Sequence, residues 1–219
     1  MRILLVYPEI PETFWGFSYA LRFISKRAVE PPLGLLTIAA MLPRQWEKKL
    51  VHMAVNRLKM KHLEWADMVF ISAMSIQRKS AEKVIRLCGE KGVRVVAGGP
   101  LFSSATTEFA GVHHLVLDEA EITLPRFLND LEQGNPKTLY RAENGRYADL
   151  QTTPPPMREL IDMKHYATMS IQYSRGCPYN CDFCAISTLF GKKVRTKSAG
   201  QLLEEINGIY ENGWRGGIF

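Results

Sequence analysis

The sequence predicts an α/β protein: an N-terminal doubly wound parallel sheet, a hairpin and proline linker, then the first β-α-β portion of a second unit. Three observations carry this. Short, nearly all-apolar runs alternate with helical stripes over residues 1–133, as buried parallel strands and their crossover helices do. Thr152-Thr-Pro-Pro-Pro156 then breaks the pattern as a stiff extended linker. After it, a strand from Met169 and a helical stripe from Leu202 to Tyr210 flank a loop bearing three cysteines. The boundaries read as 1–133 for the sheet domain, 134–165 for hairpin and linker, and 166–219 for the second unit.

Taken in order, residues 2–7 (Arg-Ile-Leu-Leu-Val-Tyr) predict a first strand, stopped by Pro8. A loop of about twenty residues follows, a length usual for functional segments. Its aromatics, Phe14, Trp15, Phe17, Tyr19 and Phe23, fit a satellite core and a lid over a flat ligand equally. Glu30-Pro-Pro-Leu-Gly opens a helix with apolar positions at Leu33, Leu36, Ala40 and Met41, closed by Pro43. Residues 49–55 and 68–72 predict the second and third strands. Ala81, Val84, Ile85 and Cys88 form a core-facing stripe that makes Cys88 buried filler, and Gly92 caps that helix.

Residues 93–97 predict a fourth strand ending in Gly98-Gly99-Pro100, and 112–117 a fifth. Asp118-Glu-Ala-Glu121 has capping-box spacing, and Leu124, Phe127, Leu128 and Leu131 give the next helix its apolar face. Pro125 requires that helix to start within about a turn of it. Asn144-Gly145 between two short runs signals a β-hairpin. Ser198-Ala-Gly-Gln201 is a second capping box, and Gly216-Gly-Ile-Phe219 begins another strand.

In an open parallel sheet, ligands bind beyond the carboxyl ends of the strands. That places Ser72, Gly98, Gly99, Pro100 and Glu119 as the candidate cofactor contacts. Two adjacent glycines allow close approach of backbone to a ligand, and a tight turn explains them equally well. No G-x-G-x-x-G occurs, which disfavours a nicotinamide dinucleotide.

The chain has 219 residues, 46% of them hydrophobic, and its net charge is +6. The basic residues are spread along the sequence; the densest group, Gly191-Lys-Lys-Val-Arg-Thr-Lys197, reads as a solvated loop or as a contact for an anionic cofactor or substrate. No nucleic-acid partner is implied. No apolar run is long enough to span a membrane, and the N-terminus reads as a strand rather than a signal peptide. Clustered free cysteines fit a reducing cytoplasm.

Cys177, Cys181 and Cys184 stand at C-x3-C-x2-C spacing, after Gly176 and beside the stiffening Pro178. Three close thiolates can hold three irons of a [4Fe-4S] cube and leave the fourth iron open. A zinc site would need a fourth ligand such as His165 or Asp182. A disulfide framework wants an even count and an oxidising compartment.

The stretch Ser174–Ser187 closely resembles the signature of the radical S-adenosylmethionine (radical SAM) enzymes, in which an aromatic precedes the last cysteine; Phe183 fills that place. The resemblance implies that Cys177, Cys181 and Cys184 ligate a [4Fe-4S] cluster. It implies that S-adenosylmethionine chelates the open iron, with Phe183 near its adenine. An electron from the cluster would then cleave it to a 5'-deoxyadenosyl radical. Pro-Pro-Leu-Gly-Leu at 31–35, Ala-Gly-Gly-Pro at 97–100 and Asp-Glu-Ala-Glu at 118–121 look like segments of the cobalamin-binding domain that precedes the radical core in one large class. Asp118 stands where that class often has glycine. The D-x-H-x-x-G motif is absent, as is usual in the class, which binds the corrinoid without that histidine.

The resemblance, nearest to the hopanoid-methylase-like branch, implies a Rossmann-like sheet joined to a partial (β/α) barrel. It implies a methyltransferase acting on an unactivated carbon of a small-molecule or lipid substrate, with flavodoxin or ferredoxin as electron donor. The family's glycine-rich segment would lie beyond Phe219, so the chain is expected to be a fragment of a longer protein or a truncated product. The alternatives are a non-catalytic corrinoid-binding module and a flavodoxin-like domain carrying a zinc loop.

Overall fold

The computed structural model describes residues 1–13, 17–104, 109–143 and 146–219. Six strands form one parallel sheet: β1 (Arg2–Tyr7), β2 (Glu47–His52), β3 (Met68–Ser72), β4 (Arg94–Gly98), β5 (His114–Val116) and β6 (Leu139–Tyr140), in the order β2-β1-β3-β4-β5-β6. The helices between them are α1 (Ser18–Phe23), α2 (Leu33–Met41), α3 (Met60–Trp65), α4 (Arg78–Glu90), α5 (Pro100–Ser104) and α6 (Ala120–Glu132). The sheet has a core on each face because strand side chains alternate. Leu4, Val6, Val69, Ile71 and Val95 pack against Ala81, Val84, Ile85 and Cys88 of α4. Ile3, Leu5, Phe70 and Val96 pack on the other side against Leu35 of α2 and Phe127 of α6. Burial of this kind stabilises by about 1.5–3 kcal/mol per large aliphatic side chain. Cys88 is fully buried, and that burial pushes its thiol up to about 12.

Several local expectations change. The segment after Pro8 is not a plain loop, since it contains α1; Phe14 and Trp15 fall outside the described residues. Tyr19 and Phe23 of α1 are exposed. The second strand is shifted to Glu47–His52 by its register with β1, Arg2 opposite Glu47 through Tyr7 opposite His52. Asn144-Gly145 lies outside the described residues, and its flanks do not make a hairpin pair: Leu139–Tyr140 joins the sheet parallel to β5, while Leu150–Thr152 is a 3-10 turn. Tyr140 is drawn in by its buried ring, which stacks edge-on against Phe127 at 5.5 Å. The Asp118–Glu121 capping box does not form. Asp118 takes φ +62°, where asparagine and aspartate are the tolerated non-glycine residues, and its carboxylate accepts from the Ala142 amide at 3.0 Å. Pro125 sits in the second turn of α6 rather than the first, at the cost of one helical hydrogen bond.

The second unit begins with an extended run at Met169–Ile171. Met169 donates to the Gly217 carbonyl at 3.1 Å, Phe219 to Met169 at 2.8 Å and Ile171 to Phe219 at 2.9 Å, a parallel pairing with the terminal segment. Between these lie β7 (Ser174–Arg175), α7 (Ile186–Phe190), β8 (Arg195–Thr196) and α8 (Ala199–Glu211). Ser198 caps α8 in the box its sequence predicts. Ala28, Val55, Tyr166, Met169 and Ile209 form a third core that joins the two units.

His52 at the end of β2 is 5% exposed, with Nδ1 3.3 Å from the Tyr166 hydroxyl. Burial lowers its pKa from 6.5 to about 4. The unfolded chain therefore binds one more proton between these values. The contribution of neutral His52 is complete above about pH 6.5 and is lost as pH falls toward about 4. Urea unfolding is expected to show stability lower by about 2 kcal/mol at about pH 5 than at about pH 7, a difference that His52→Gln removes.

Candidate functional site

The strand order reverses between β1 and β3, and sheets of this kind open a crevice at that point, outside the carboxyl ends. A cleft is found there in two adjoining compartments. The wider, about 630 Å³, is walled by Tyr7, His52, Ala73, Gln172 and Phe219. The narrower, about 260 Å³, reaches between the ends of β3, β4 and β5. Leu33, Gly34, Ser72 and Pro100 line both. Buried Gln77 ties the segment after β1 to the segment after β3: its side-chain amide donates to the Pro8 carbonyl, and its oxygen accepts from the Met74 amide at 2.7 Å. Nothing in the sequence distinguishes Gln77 from an exposed glutamine.

Ser72, Gly98, Gly99, Pro100 and Glu119 all line the narrow compartment. The two glycines also answer to the protein itself. A Cβ at Gly98 would lie 2.4 Å from the Val116 carbonyl oxygen, because β4 and β5 approach closely there. Gly99 has φ +88°, and a Cβ on it would lie 2.6 Å from the Ser72 Oγ. Pro100 then starts α5.

Glu119 is buried, and both its oxygens meet protein donors. Oε2 accepts from the Ala148 amide at 2.6 Å and from Arg195 at 2.9 Å; Oε1 lies 3.4 Å from Arg175. Arg175 also grips Glu121, at 2.9 Å through Nη1 and 2.8 Å through Nη2, and its Nε donates to Gln172 at 2.7 Å. Burial by itself pushes the Glu121 carboxyl up, but the hydrogen bond and charge of Arg175 outweigh it and hold the group below the usual carboxylate range. By sequence, the run containing Arg195 and Lys197 reads as a solvated loop or a contact for an anionic ligand. The structure corrects this at both residues: Arg195 pairs with Glu119, and buried Lys197 pairs with Glu205. The stem of β7 and β8 turns these side chains inward, whereas Lys192 and Lys193 stay exposed.

The cysteine loop rises from that stem and returns through α7, whose Leu189 and Phe190 reach the narrow compartment beside Arg175. Gly176, at φ +91°, makes the entry turn, and the Cys177 amide donates to the Gly191 carbonyl at 3.0 Å. Cys177 and Cys184 are half-buried, Cys181 is exposed, and the Phe183 ring is 94% exposed. Among the described residues no three His, Cys, Asp or Glu side chains, the three cysteines included, stand together closely enough to hold a metal ion. The donor set itself, three accessible thiols on one short loop, fits an iron–sulfur cluster chemically. Ligand bonds would supply what draws such a loop together. The open, largely apolar cleft likewise fits a large planar cofactor. No helix among the described residues is long and apolar enough to cross a membrane.

Comparison with known proteins bears on this cleft. Residues 23–128 match the family described as B12 binding domain. An uncharacterized methyltransferase of Synechocystis sp. is 42% identical over all of this chain and 41% of its own length. The hopanoid C-2 methylase of Rhodopseudomonas palustris is 31% identical over all of this chain and 42% of its own length. The chain thus spans less than half the length of these relatives. Among solved structures, the radical S-adenosylmethionine methyltransferase TsrM of Kitasatospora setae, with cobalamin and a [4Fe-4S] cluster bound, superimposes with a TM-score of 0.65. That match covers 97% of this chain and 46% of TsrM at 15% identity, and it shows a shared fold.

Proposed function

We propose that the chain is part of a radical SAM enzyme that carries a cobalamin-binding domain, and that it serves a cobalamin-dependent methyltransferase acting on an unactivated carbon; the B12-binding match over residues 23–128 and the methyltransferase and hopanoid methylase relatives support this reading. The observation that carries the reading is the shared cleft. Its floor is the carboxyl edge of the sheet that matches a B12-binding domain, and its roof includes Arg175, Leu189 and Phe190 on either side of the cysteine loop. Both cofactors would then be handled from one cavity.

Ser72, Gly98, Gly99 and Pro100 would hold the corrinoid along the strand ends, with the Leu33–Leu35 segment of α2 as an apolar wall. Cys177, Cys181 and Cys184 would hold the [4Fe-4S] cluster, and Phe183 would pack on the adenine of S-adenosylmethionine. Bound together, these groups supply a methyl donor and a reductive route to a carbon-centred radical. The residues of this chain bind and orient the cofactors and keep water from the cleft. The substrate class is a small molecule or lipid, and the electron donor a flavodoxin or ferredoxin in a reducing cytoplasm that keeps the thiols free.

Titration with hydroxocobalamin is the direct test. A shift of the corrinoid absorption and a concentration-dependent rise in Tm are expected. If neither moves at saturating hydroxocobalamin, the corrinoid reading falls. One observation favours a second reading, a corrinoid-binding module without catalysis: the B12-binding match, residues 23–128, does not include the cysteine loop. Release of 5'-deoxyadenosine from S-adenosylmethionine by the iron-reconstituted chain with a chemical reductant decides between them, because the module releases none.

A further inference from the structure

β7 and β8 are antiparallel, and their register puts Arg175 directly opposite Arg195. Like charges facing across a strand pair repel. Here Glu119 stands between them: Arg195 lies 2.9 Å from Glu119 Oε2 and Arg175 lies 3.4 Å from Glu119 Oε1, while Glu121 holds Arg175 more closely at 2.8 Å. The side chains of Arg195, Arg175 and Glu119 are 14%, 12% and 2% exposed respectively, so little solvent screens the arrangement. The two strands are the stem of the segment that carries Cys177, Cys181 and Cys184. Other contacts tie the same stem down: Arg195 donates to the Ala148 and Phe190 carbonyls at 2.7 and 2.8 Å, and its guanidinium lies 5.0 Å from the centre of the Tyr147 ring. Glu119 belongs to the sheet domain, at the N-cap of α6, and lines the narrow compartment together with Arg175.

We propose that Glu119 is the positioning residue of the cysteine loop: as the carboxylate that bridges both arginines of the stem, with Glu121 sharing Arg175, it seats the loop over the cleft, and so couples filling of the cleft to ordering of the loop. A ligand in the narrow compartment meets Arg175 on one shoulder of the loop and Leu189 and Phe190 on the other. Such a ligand holds the loop down, and by reciprocity a held loop favours the ligand. The corrinoid half of the test rests on the function proposed above; the Glu119 half does not.

The experiment measures the alkylation rate of each cysteine by iodoacetamide, resolved by peptide mass spectrometry, in the cluster-free full chain. Cys88, fully buried, is the internal reporter of global unfolding. In Glu119→Gln, which keeps the shape and removes the charge, Cys177, Cys181 and Cys184 are expected to react at least several-fold faster while Cys88 stays slow. Glu119→Asp, which keeps the charge on a shorter arm, is expected to restore much of the protection. Saturating hydroxocobalamin is expected to slow the three loop cysteines of the parent chain several-fold, and to do so much less in Glu119→Gln. Equal loop rates in parent and Glu119→Gln overturn the proposal. So does acceleration of Cys88 in step with the loop, which marks a merely structural role, and so does hydroxocobalamin that binds without slowing the loop. Failure of hydroxocobalamin to bind the parent overturns the corrinoid reading instead, while the comparison of unliganded parent and Glu119→Gln still decides the role of Glu119.

Discussion

Cys181→Ala, reconstituted with ferrous iron and sulfide, is expected to lose the iron and the broad visible thiolate-to-iron absorption that the parent chain acquires. Each cysteine of the C-x3-C-x2-C set would ligate one iron, and two thiolates on an exposed loop cannot hold the cube. The loss should be nearly complete, because little else pins this loop: one bond from the Cys177 amide to Gly191 and one from the Cys184 amide to Cys181. Release of 5'-deoxyadenosine should fall to background with it. Cys88→Ala makes the matching control. Its thiol, on α4, lies in the core against the sheet, and its loss should cost stability without touching iron content. Full iron loading of Cys181→Ala would falsify the cluster assignment.

Glu205→Ala is expected to produce the largest loss of stability. Glu205, on α8, lies between Arg158 and Lys197, and all three are buried; Arg158 Nη2 also donates to the Ser170 carbonyl at 3.0 Å. Removing the only carboxylate leaves two cations in a site that water does not reach. Breaking a buried ion pair in this way costs about 3–5 kcal/mol. Burial lowers the Arg158 pKa against the opposing charge and hydrogen bond of Glu205, so the carboxylate offsets part of the cost of burying the guanidinium. Replacing all three by methionine should recover most of the loss, since well-packed apolar side chains often substitute for buried ions at little net cost. Denaturant midpoints of the two variants provide the check. A Glu205→Ala chain within 1 kcal/mol of the parent, an outcome about as small as that of an exposed pair, would mean that the triad is solvated in solution.

Much of the sheet domain was legible because it depends on local rules. An all-apolar run such as Ile3–Val6, stopped by Pro8, fits a strand covered on both faces, and the Ala81–Cys88 spacing puts its apolar residues on one side of a helix. The cysteine spacing points to a cluster by its chemistry, and Phe183 is added by the resemblance to the radical SAM signature. What escaped was whatever depends on distant partners. Asn144-Gly145 carries a hairpin signal, yet its flank Leu139–Tyr140 pairs with β5, because burying Tyr140 against Phe127 outweighs a local turn preference. Glu121 has the spacing of a cap and instead pairs with Arg175, fifty-four positions away.

Patterning and composition therefore determined the α/β class and the first five strands in outline, since each follows from periodicity, and side-chain chemistry singled out the three cysteines as candidate donors. Only the tertiary structure decided that Glu119 lies between Arg175 and Arg195, that Lys197 is buried against Glu205, and that one cleft is bordered by both units. Buried charges are tolerated only beside opposite charges. Which carboxylate meets which cation is set by how two units pack, and a one-dimensional pattern does not contain that distance.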